Sequence, residues 1–234
     1  EVEDEMVVRP NCTYIIPPGH DMALINGTLQ LLEPSAPHGM RLPIDFFFRS
    51  LALELQDQAM CVVLSGTGSD GTMGVRKIKE EGGVIIAQTP DSTEHNGMPN
   101  SAIDTGLVDF VLDPGDMPAK LISFVAHSYN ENPIMGDSSS LKSETILKKV
   151  SVILRDQVGH DFSQYKPNTV IRRIERRMAV QQIDEAADYV RYLRNSPAEA
   201  QALFRDLLIG VTNFFRDPEA FAVLESTVVP QLFT

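Results

Sequence analysis

The sequence is poor in cysteine, tryptophan and basic side chains, and each shortage narrows the classes of protein to which it can belong. Its 234 residues include two cysteines and no tryptophan, and 20 lysine and arginine residues stand against 32 aspartate and glutamate residues. Cys12 and Cys61 are too few for a disulfide scaffold or a zinc site, so we expect a reduced, cytoplasmic setting and no metal. A formal net charge of −12 disfavours nucleic acid as the main partner, because phosphate binding depends on lysine and arginine.

Long hydrophobic runs are also missing. No stretch approaches the roughly 20 uncharged apolar residues of a membrane-spanning helix, so we predict no membrane insertion. The 43% of hydrophobic residues is nevertheless enough for a folded core. The chain opens Glu1-Val2-Glu3-Asp4, without Met and without the basic and apolar regions of a signal peptide, so we expect it to be cut from a longer protein and to have no leader.

Charge is distributed unevenly along the chain. Residues 1–130 carry 7 basic and 18 acidic side chains, whereas residues 141–234 carry 13 basic and 12 acidic ones. The segment between them is rich in Pro, Gly, Asn and Ser, as exposed linkers are. We therefore predict two domains, at residues 1–130 and 144–234, joined by a linker at residues 131–143.

The first half has the pattern of an α/β domain. Asn26-Gly27 between two apolar runs predicts a β-hairpin. Beyond it, helical spacing alternates with continuous apolar runs, in segments 43–55, 59–64, 72–81, 84–87 and 108–112. Such runs are typical of strands buried on both faces, so we predict a mostly parallel sheet.

The second half has apolar residues at helical spacing throughout, which predicts a small bundle of four or five helices. The predicted helices span residues 141–158, 166–180, 184–195, 197–209 and 217–229. The fold class expected for the whole chain is thus an α/β parallel-sheet domain followed by a small all-α domain.

The loop after the first buried strand is the first chemical signal. It reads Ser65-Gly66-Thr67-Gly68-Ser69-Asp70-Gly71, and such loops lie where open parallel sheets bind ligands. Three interpretations are open: Asp70 caps the following helix in a tight turn, the loop holds a phosphate, or Asp70 orients the histidine of a Ser-His-Asp triad. The phosphate interpretation is weak, because the Lys-Ser/Thr pair of a P-loop is absent.

This loop, with Pro17-Pro18-Gly19-His20 upstream and Asn96-Gly97-Met98-Pro99 downstream, resembles the CheB-type chemotaxis protein-glutamate methylesterases over about residues 5–127. The resemblance implies a Ser-His-Asp triad on a parallel α/β sheet that hydrolyses glutamyl methyl esters on chemoreceptors. It implies that Asp70 is the triad aspartate and that Thr67 and Gly68 belong to the oxyanion loop. Many members have Met where Thr67 stands, but a backbone donor survives that change.

The serine and histidine of that family lie in motifs upstream of the segment that matches Pro17-Pro18-Gly19-His20, and neither motif occurs here. Their roles are not assigned to Ser65 or to a histidine of this chain, because each of these residues has an ordinary surface or core interpretation. We therefore expect the α/β domain to be incomplete and the 234 residues to be inactive on their own.

The basic segment that begins at Lys166 is the second signal. Its five basic side chains fall on about three helical turns, and the apolar residues between them recur at helical spacing and face the core. We expect the five to stand on an outer face, either simply solvated or attracting an acidic partner: Lys166, Arg172, Arg173, Arg176 and Arg177. Nucleic acid is the weaker option, since no aromatic side chains interleave with them.

Val211-Thr212-Asn213-Phe214-Phe215-Arg216, with the basic helix upstream, resembles the N-terminal all-α domain of CheR-type protein-glutamate methyltransferases, from about residue 144 to the end. The resemblance implies that Thr212 and Arg216 contact S-adenosylmethionine, and that Gly210, in place of a motif Asn, offers only a backbone contact. It also implies that the five basic side chains bind the acidic methylation helices of chemoreceptors. The main cofactor domain of that family is not in this sequence.

Together the resemblances predict part of a CheB-CheR type hybrid that hydrolyses glutamyl methyl esters and methylates receptor glutamates with S-adenosylmethionine. The alternative, from another class, is a non-catalytic receptor-binding or regulatory scaffold module of a signalling protein. A Ser-x-Gly-Gly loop upstream and a glycine-rich cofactor loop downstream in the parent protein would favour the enzyme.

Overall fold

The computed structural model of the protein describes residues 1–34, 41–129 and 144–209. Several sequence predictions lie outside these described residues and stay predictions: the linker at 131–143, the helix at 217–229, and the cofactor contacts of Gly210, Thr212 and Arg216.

The first 34 residues form a small antiparallel sheet. Its strand order is β1–β3–β2, with bounds Met6–Val7 for β1, Asp21–Ile25 for β2 and Thr28–Leu32 for β3. Asn26 and Gly27 take φ angles of 51° and 71° in the turn between β2 and β3. These positive angles are what a two-residue hairpin turn requires, and the predicted hairpin is confirmed.

The predicted parallel sheet is also confirmed. Its three strands pair in parallel and in chain order: β4 (Met60–Val63), β5 (Val84–Gln88) and β6 (Phe110–Leu112). Every side chain of β5 is buried, as expected of a central strand that is covered on both faces. Four helices accompany the sheet: α1 (Pro43–Leu55), α2 (Thr72–Glu81), α3 (Gly97–Asp104) and α4 (Met117–Tyr129).

Helices α1 and α2 approach each other closely. A Cβ atom added at Gly74 would lie 2.5 Å from the Cβ of Phe48, which is nearer than two carbon atoms can approach. Gly71 has a φ angle of 92°, and a Cβ atom there would lie 3.1 Å from Ile44 Cγ2. The absence of a side chain at these two positions therefore sets the distance between the helices.

The second half is helical, as predicted. Its described helices are α5 (Glu144–Val158), α6 (Pro167–Gln181), α7 (Ala186–Asn195) and α8 (Pro197–Leu208). They enclose a hydrophobic cluster of their own, in which Leu154, Ile174, Tyr189, Leu193 and Leu203 are fully buried. The fold class expected from the sequence, a parallel-sheet α/β domain followed by a small all-α domain, is confirmed.

The two halves also share a hydrophobic contact. Ala179 and Val180 of α6 join Val84 and Ile86 of β5 and Phe124 of α4 in one cluster. This shared cluster has fewer buried members than the cluster within either half. Helix α6 is therefore the element through which the helical half rests on the sheet.

We predict that Gly74→Ala lowers the free energy of unfolding by about 1–2 kcal/mol, because overpacking a filled interior outweighs the gain in helix propensity. The Cβ of Phe48 cannot swing away as the end of a flexible side chain can. Urea unfolding followed by circular dichroism measures the change. Gly115→Ala is the control, since nothing lies within 4 Å of an added Cβ atom there. Equal midpoints for the two variants would contradict the close approach of α1 and α2.

Candidate functional site

Two loops meet at the carboxyl ends of β4 and β5, the edge at which open parallel sheets bind ligands. The Gly66 N–H donates to the His95 carbonyl at 2.8 Å, and the Met98 N–H donates to the Gly66 carbonyl at 2.9 Å. The Ser65 hydroxyl donates to the His95 carbonyl at 3.2 Å and accepts from the His95 N–H at 3.1 Å. The loop after β4 is therefore fixed to the segment that precedes α3, and Ser65 is part of that fixation.

Thr67 and Gly68 form the exposed crest of the loop. A Cβ atom at Gly97 would lie 2.9 Å from Gly68 N, so the crest rests directly against the first residue of α3. Among the described residues, none accepts a hydrogen bond from the N–H of Thr67 or of Gly68. Two neighbouring N–H groups on a fixed loop are donors of the kind that stabilises an oxyanion.

The half-buried carboxylate of Asp70 follows this crest. Its Oδ1 accepts hydrogen bonds from the N–H groups of Asp45 and Gly71, both at 2.9 Å, and its Oδ2 accepts one from Ile44 at 3.1 Å. Ile44 and Asp45 belong to the first turn of α1. Asp70 therefore does cap a helix, but the helix is α1 and not α2, the helix that follows it in the sequence.

This arrangement suits an ionised carboxylate that must accept one more hydrogen bond. Two carboxylate oxygens offer about four lone-pair sites, and three backbone N–H groups fill three of them. The remaining site, on Oδ2, can accept an imidazole N–H. No histidine ring fills it within the described ranges; the ring of His20, for example, lies 3.1 Å from the Pro18 carbonyl.

The structure corrects the prediction for the basic segment, which forms α6. Lys166 and Arg172 are exposed, as expected. Arg173, Arg176 and Arg177 are not on an outer face: their exposed fractions are 6%, 8% and 5%. These three side chains turn toward acids and carbonyl groups of the chain itself, so no free surface of five basic residues exists on α6.

Arg176 is the centre of a buried charge cluster between the two halves. Its Nη2 lies 2.6 Å from Asp109 Oδ2, just before β6, and its Nη1 lies 2.7 Å from Asp206 Oδ2 in α8. Lys79 of α2 bridges the same two acids, with Nζ 2.7 Å from Asp109 Oδ1 and 3.1 Å from Asp206 Oδ1. The α/β half and the helical half each contribute a cation and an anion to these four ion pairs.

Arg177 extends the cluster into the helical core. Its guanidinium makes a two-pronged contact with Glu199, at 2.8 Å and 2.5 Å. Gln181 and Tyr189 also donate to the Glu199 carboxylate, at 2.7 Å and 2.9 Å. Burial, and then the neighbouring Glu199 carboxylate, raise the pKa of Tyr189, so its hydroxyl keeps the proton that it donates.

The C-terminal end of α2 receives two of the same arginines. Arg173 Nη2 donates to the Glu80 carbonyl at 2.8 Å, and Arg176 Nε donates to the Gly82 carbonyl at 2.9 Å. Carbonyl groups at a helix end lack partners within the helix and carry its partial negative charge. Two guanidinium groups from the helical half satisfy this end of α2.

The charge on Asp109 depends on its cations. Burial by itself would raise the pKa of the Asp109 carboxyl, but Arg176 and Lys79 outweigh burial and hold that pKa below its usual range. The Asp109 Oδ2 also accepts the Ile85 N–H of β5 at 3.0 Å. The ionised Asp109 carboxylate therefore links strand β5 to Lys79 of the α/β half and to Arg176 of the helical half.

Asp45, Lys79, Asp109, Glu199 and Asp206 are site or interface residues that sequence reasoning missed. Lys79 offered a signal, because it lies one residue after Ile78 and four after Val75 on the buried face of α2. The four acids offered little signal in the sequence, since a single acid in a helix or beside a strand is ordinary. In the described parts of the chain there is no group of three or more potential metal ligands, and no helix there is long and apolar enough to cross a membrane.

A parallel sheet whose carboxyl edge carries a fixed loop, two N–H donors and a carboxylate with a free acceptor site has the form of part of a hydrolytic site. Residues 1–121 match the family model of the CheB methylesterase, and residues 146–208 match that of the CheR methyltransferase, all-alpha domain. The first match covers more than half of the 234 residues, so the chain belongs to the CheB methylesterase family.

Individual proteins match different shares of the chain. An uncharacterized 104.1 kDa protein in the hypE 3′ region of Rhodobacter capsulatus is 37% identical over 251 residues, which cover 99% of this chain and 26% of that protein. The protein-glutamate methylesterase/protein-glutamine glutaminase of Thermotoga maritima is 33% identical over 129 residues, which cover 53% of this chain and 38% of that protein. This chain therefore spans well under half the length of either relative.

A solved structure also matches part of the chain. The crystal structure of the Thermotoga maritima CheB methylesterase catalytic domain shares 34% sequence identity and gives a TM-score of 0.49. The match covers 52% of this chain and 67% of that one.

We predict that Arg176→Met lowers the free energy of unfolding by about 3–5 kcal/mol, because it removes one of the two cations that the buried Asp109 and Asp206 share and leaves Lys79 as the other. Arg172→Met is the matched control four residues earlier on the same helix, where the side chain is exposed and a change within about 0.5 kcal/mol is expected. Urea unfolding of both variants at neutral pH measures the difference. Similar losses in the two variants would contradict the buried cluster.

The pH dependence gives the same cluster a second readout. Because the pKa of Asp109 is lower in the folded protein than in the unfolded chain, its pairing stabilises the fold above the unfolded value of about 4 and this stability is lost as pH falls toward the folded value. In Arg176→Met the folded pKa rises toward or above the unfolded value, so Asp109 should contribute less stability near neutral pH, and acidification should remove less stability than in the wild type. Urea unfolding of both proteins at neutral and at acid pH measures the difference.

Proposed function

We propose that this chain supplies the triad aspartate and the oxyanion loop of a protein-glutamate methylesterase. The observation that carries the proposal is the Asp70 carboxylate, held by three backbone N–H groups beside the Thr67-Gly68 crest at the carboxyl edge of the sheet. The family match over residues 1–121 and the names of relatives such as the Thermotoga maritima enzyme support it.

Asp70 acts in this proposal through a histidine that another part of the protein supplies. The free site on Oδ2 accepts the imidazole N–H, which fixes the tautomer and stabilises the imidazolium that forms when the serine loses its proton. The serine oxygen then attacks the ester carbonyl of a glutamyl methyl ester. The N–H groups of Thr67 and Gly68 face the oxyanion that this attack creates.

We further propose that the helical half serves the opposite reaction, the methylation of receptor glutamates. The match of residues 146–208 to the CheR all-α domain supports this proposal. S-adenosylmethionine would supply the methyl group, and Thr212, Arg216 and Gly210 remain its predicted contacts outside the described residues.

The receptor surface of the helical half is smaller in this proposal than the sequence implies. Arg173, Arg176 and Arg177 are committed to the buried cluster, so Lys166 and Arg172 remain as exposed cations of α6 for an acidic receptor segment. A pair of cations steers a partner of opposite charge, and its effect weakens with salt. The cytoplasmic setting of this encounter stays a prediction.

A non-catalytic scaffold is the second candidate function. The observation that favours it is that no described histidine reaches Asp70, so the described residues contain a carboxylate without a base. The sequence of the parent protein separates the two candidates, because only the enzyme needs a Ser-x-Gly-Gly loop upstream and a glycine-rich cofactor loop downstream.

We expect Asp70→Asn in the intact parent protein to lower kcat for hydrolysis of a glutamyl methyl ester by about 10³- to 10⁴-fold, as loss of a triad aspartate does. Asparagine keeps one acceptor oxygen for the N–H groups of Asp45 and Gly71 and loses the acceptor for Ile44, so the fold should persist with a lower free energy of unfolding. Release of methanol from a methylated receptor measures the rate. Asp91→Asn removes an exposed carboxylate after β5 and serves as the control. An unchanged rate in Asp70→Asn would show that Asp70 is not the triad aspartate, whereas a wild-type protein that releases no methanol would favour the scaffold.

We expect the double substitution Lys166→Glu and Arg172→Glu to slow receptor methylation by the intact protein about tenfold at low salt, because it repels an acidic receptor segment. The salt dependence of the rate should flatten in the same variant. Arg191→Glu and Arg194→Glu on α7 reverse two exposed charges elsewhere in the helical half and serve as the control. Equal effects of the two double substitutions would show that no specific contact lies at the start of α6.

A further inference from the structure

Helices α1 and α2 both begin without a side-chain cap of their own. The residues at their N-caps are Leu42 and Gly71, and neither makes a side-chain hydrogen bond to its helix. The N–H groups in the first turn of a helix have no acceptor within that helix. For α1 and α2, the acceptors come from the other helix of the pair.

A carboxylate beside or within each helix accepts hydrogen bonds from the first turn of the other helix. Asp70, which lies two residues before α2, accepts the N–H groups of Ile44 and Asp45 in the first turn of α1. Asp45 in turn accepts the N–H of Gly74 in the first turn of α2, at 2.6 Å. Residue 45 thus serves both helices, because its backbone donates to Asp70 and its side chain holds α2.

Close packing surrounds these reciprocal hydrogen bonds. Asp45 is 2% exposed, and Gly74 has no room for a Cβ atom beside Phe48. Gly71 lies similarly close to Ile44. The helices therefore cannot slide past each other to find new acceptors, and a carboxylate that is lost at one helix start leaves buried N–H groups unpaired.

We propose that Asp45 is the positioning residue for the Asp70 carboxylate. Its side chain fixes the first turn of α2, and with it the Asp70-Gly71 segment directly before that turn. Its N–H is one of the two donors that hold Oδ1. The catalytic consequence rests on the proposed function, since a small displacement of Asp70 matters for turnover only where the free site on Oδ2 must meet an imidazole.

Hydrogen exchange of the 234-residue chain, resolved by NMR, tests the positioning itself. In Asp45→Ala the Gly74 N–H loses its acceptor, and we expect its protection factor to fall about fivefold, the equivalent of one helix cap. The Ile44 N–H is bound by Asp70 and not by the Asp45 side chain, yet we expect a similar loss there. Asp45→Asn keeps an acceptor oxygen and should restore most of the protection at Ile44.

Ser50→Ala is the matched control on α1. The Ser50 hydroxyl accepts the Leu24 N–H at 3.0 Å and donates to the Phe47 carbonyl at 2.8 Å, so the substitution loosens α1 without touching its first turn. It should leave the protection of Ile44 and Gly74 unchanged relative to the core amides. If Asp45→Ala affects Gly74 but leaves Ile44 as protected as in the wild type, Asp45 is a cap for α2 alone and the proposal is overturned.

Kinetic measurements on the intact parent protein are the second test of the proposal. We expect Asp45→Ala to lower kcat for ester hydrolysis about ten- to a hundredfold with KM unchanged, and Asp45→Asn to recover part of it, as for a displaced catalytic group. Ser50→Ala should keep the wild-type kcat. A wild-type protein without esterase activity would contradict the proposed function alone, because the exchange of Ile44 still decides whether Asp45 positions Asp70.

Discussion

The two ends of α2 carry the constraint on which both halves of the protein depend. A helix leaves N–H groups unpaired at its start and carbonyl groups unpaired at its end, and both ends of α2 lie against other elements. Asp45 of α1 accepts from the start, and Arg173 and Arg176 of α6 donate to the end. One ten-residue helix is thereby tied to the candidate site at its N-terminus and to the helical half at its C-terminus.

The buried charges affect the relative orientation of the two halves more than the free energy of their association. Three of the buried cations, Lys79, Arg176 and Arg177, pair with three carboxylates, Asp109, Glu199 and Asp206. The fourth, Arg173, donates to carbonyl groups at the end of α2. Desolvation offsets much of the attraction in such clusters, but a misaligned arrangement would leave a charge buried without a partner. The apolar contact through Ala179 and Val180 excludes water, and the ion pairs allow one orientation.

Local pattern predicted most of the fold. The hairpin at Asn26-Gly27, the buried strands and the helices all follow from features that lie within a few residues of one another. The loop with Asp70 was also visible, because glycines and one acid between a buried strand and a helix are a local signal. The cap interpretation of Asp70, one of the three that the sequence left open, pointed to the helix that follows it, whereas the helix that it caps donates N–H groups that lie 25 and 26 residues away.

The arginines of α6 show what local pattern cannot supply. Helical spacing shows which residues share a face of a helix, but not which residues of other elements pack against that face. Arg176 was expected on an outer face, solvated or against an acidic partner, because the apolar residues of the helix face the core. Its partner Asp109 instead lies 67 residues earlier in the same chain. The surplus of 11 acids in residues 1–130 was the available hint, because an acidic half and a basic helix in one chain can neutralise each other.

The geometry of α2 bears on how the candidate site and the helical half are held relative to each other. Its ten residues span about 15 Å from the Asp70 segment to the carbonyl groups held by Arg173 and Arg176. Over that length a helix packed on both sides is stiff, so a displacement of one end also moves the other end. A linker of Pro, Gly and Ser would instead let the halves reorient freely. The separation between the candidate esterase edge and the helical half is therefore set by α2 and its buried charges, whatever the conformation of the segment that joins the halves in sequence.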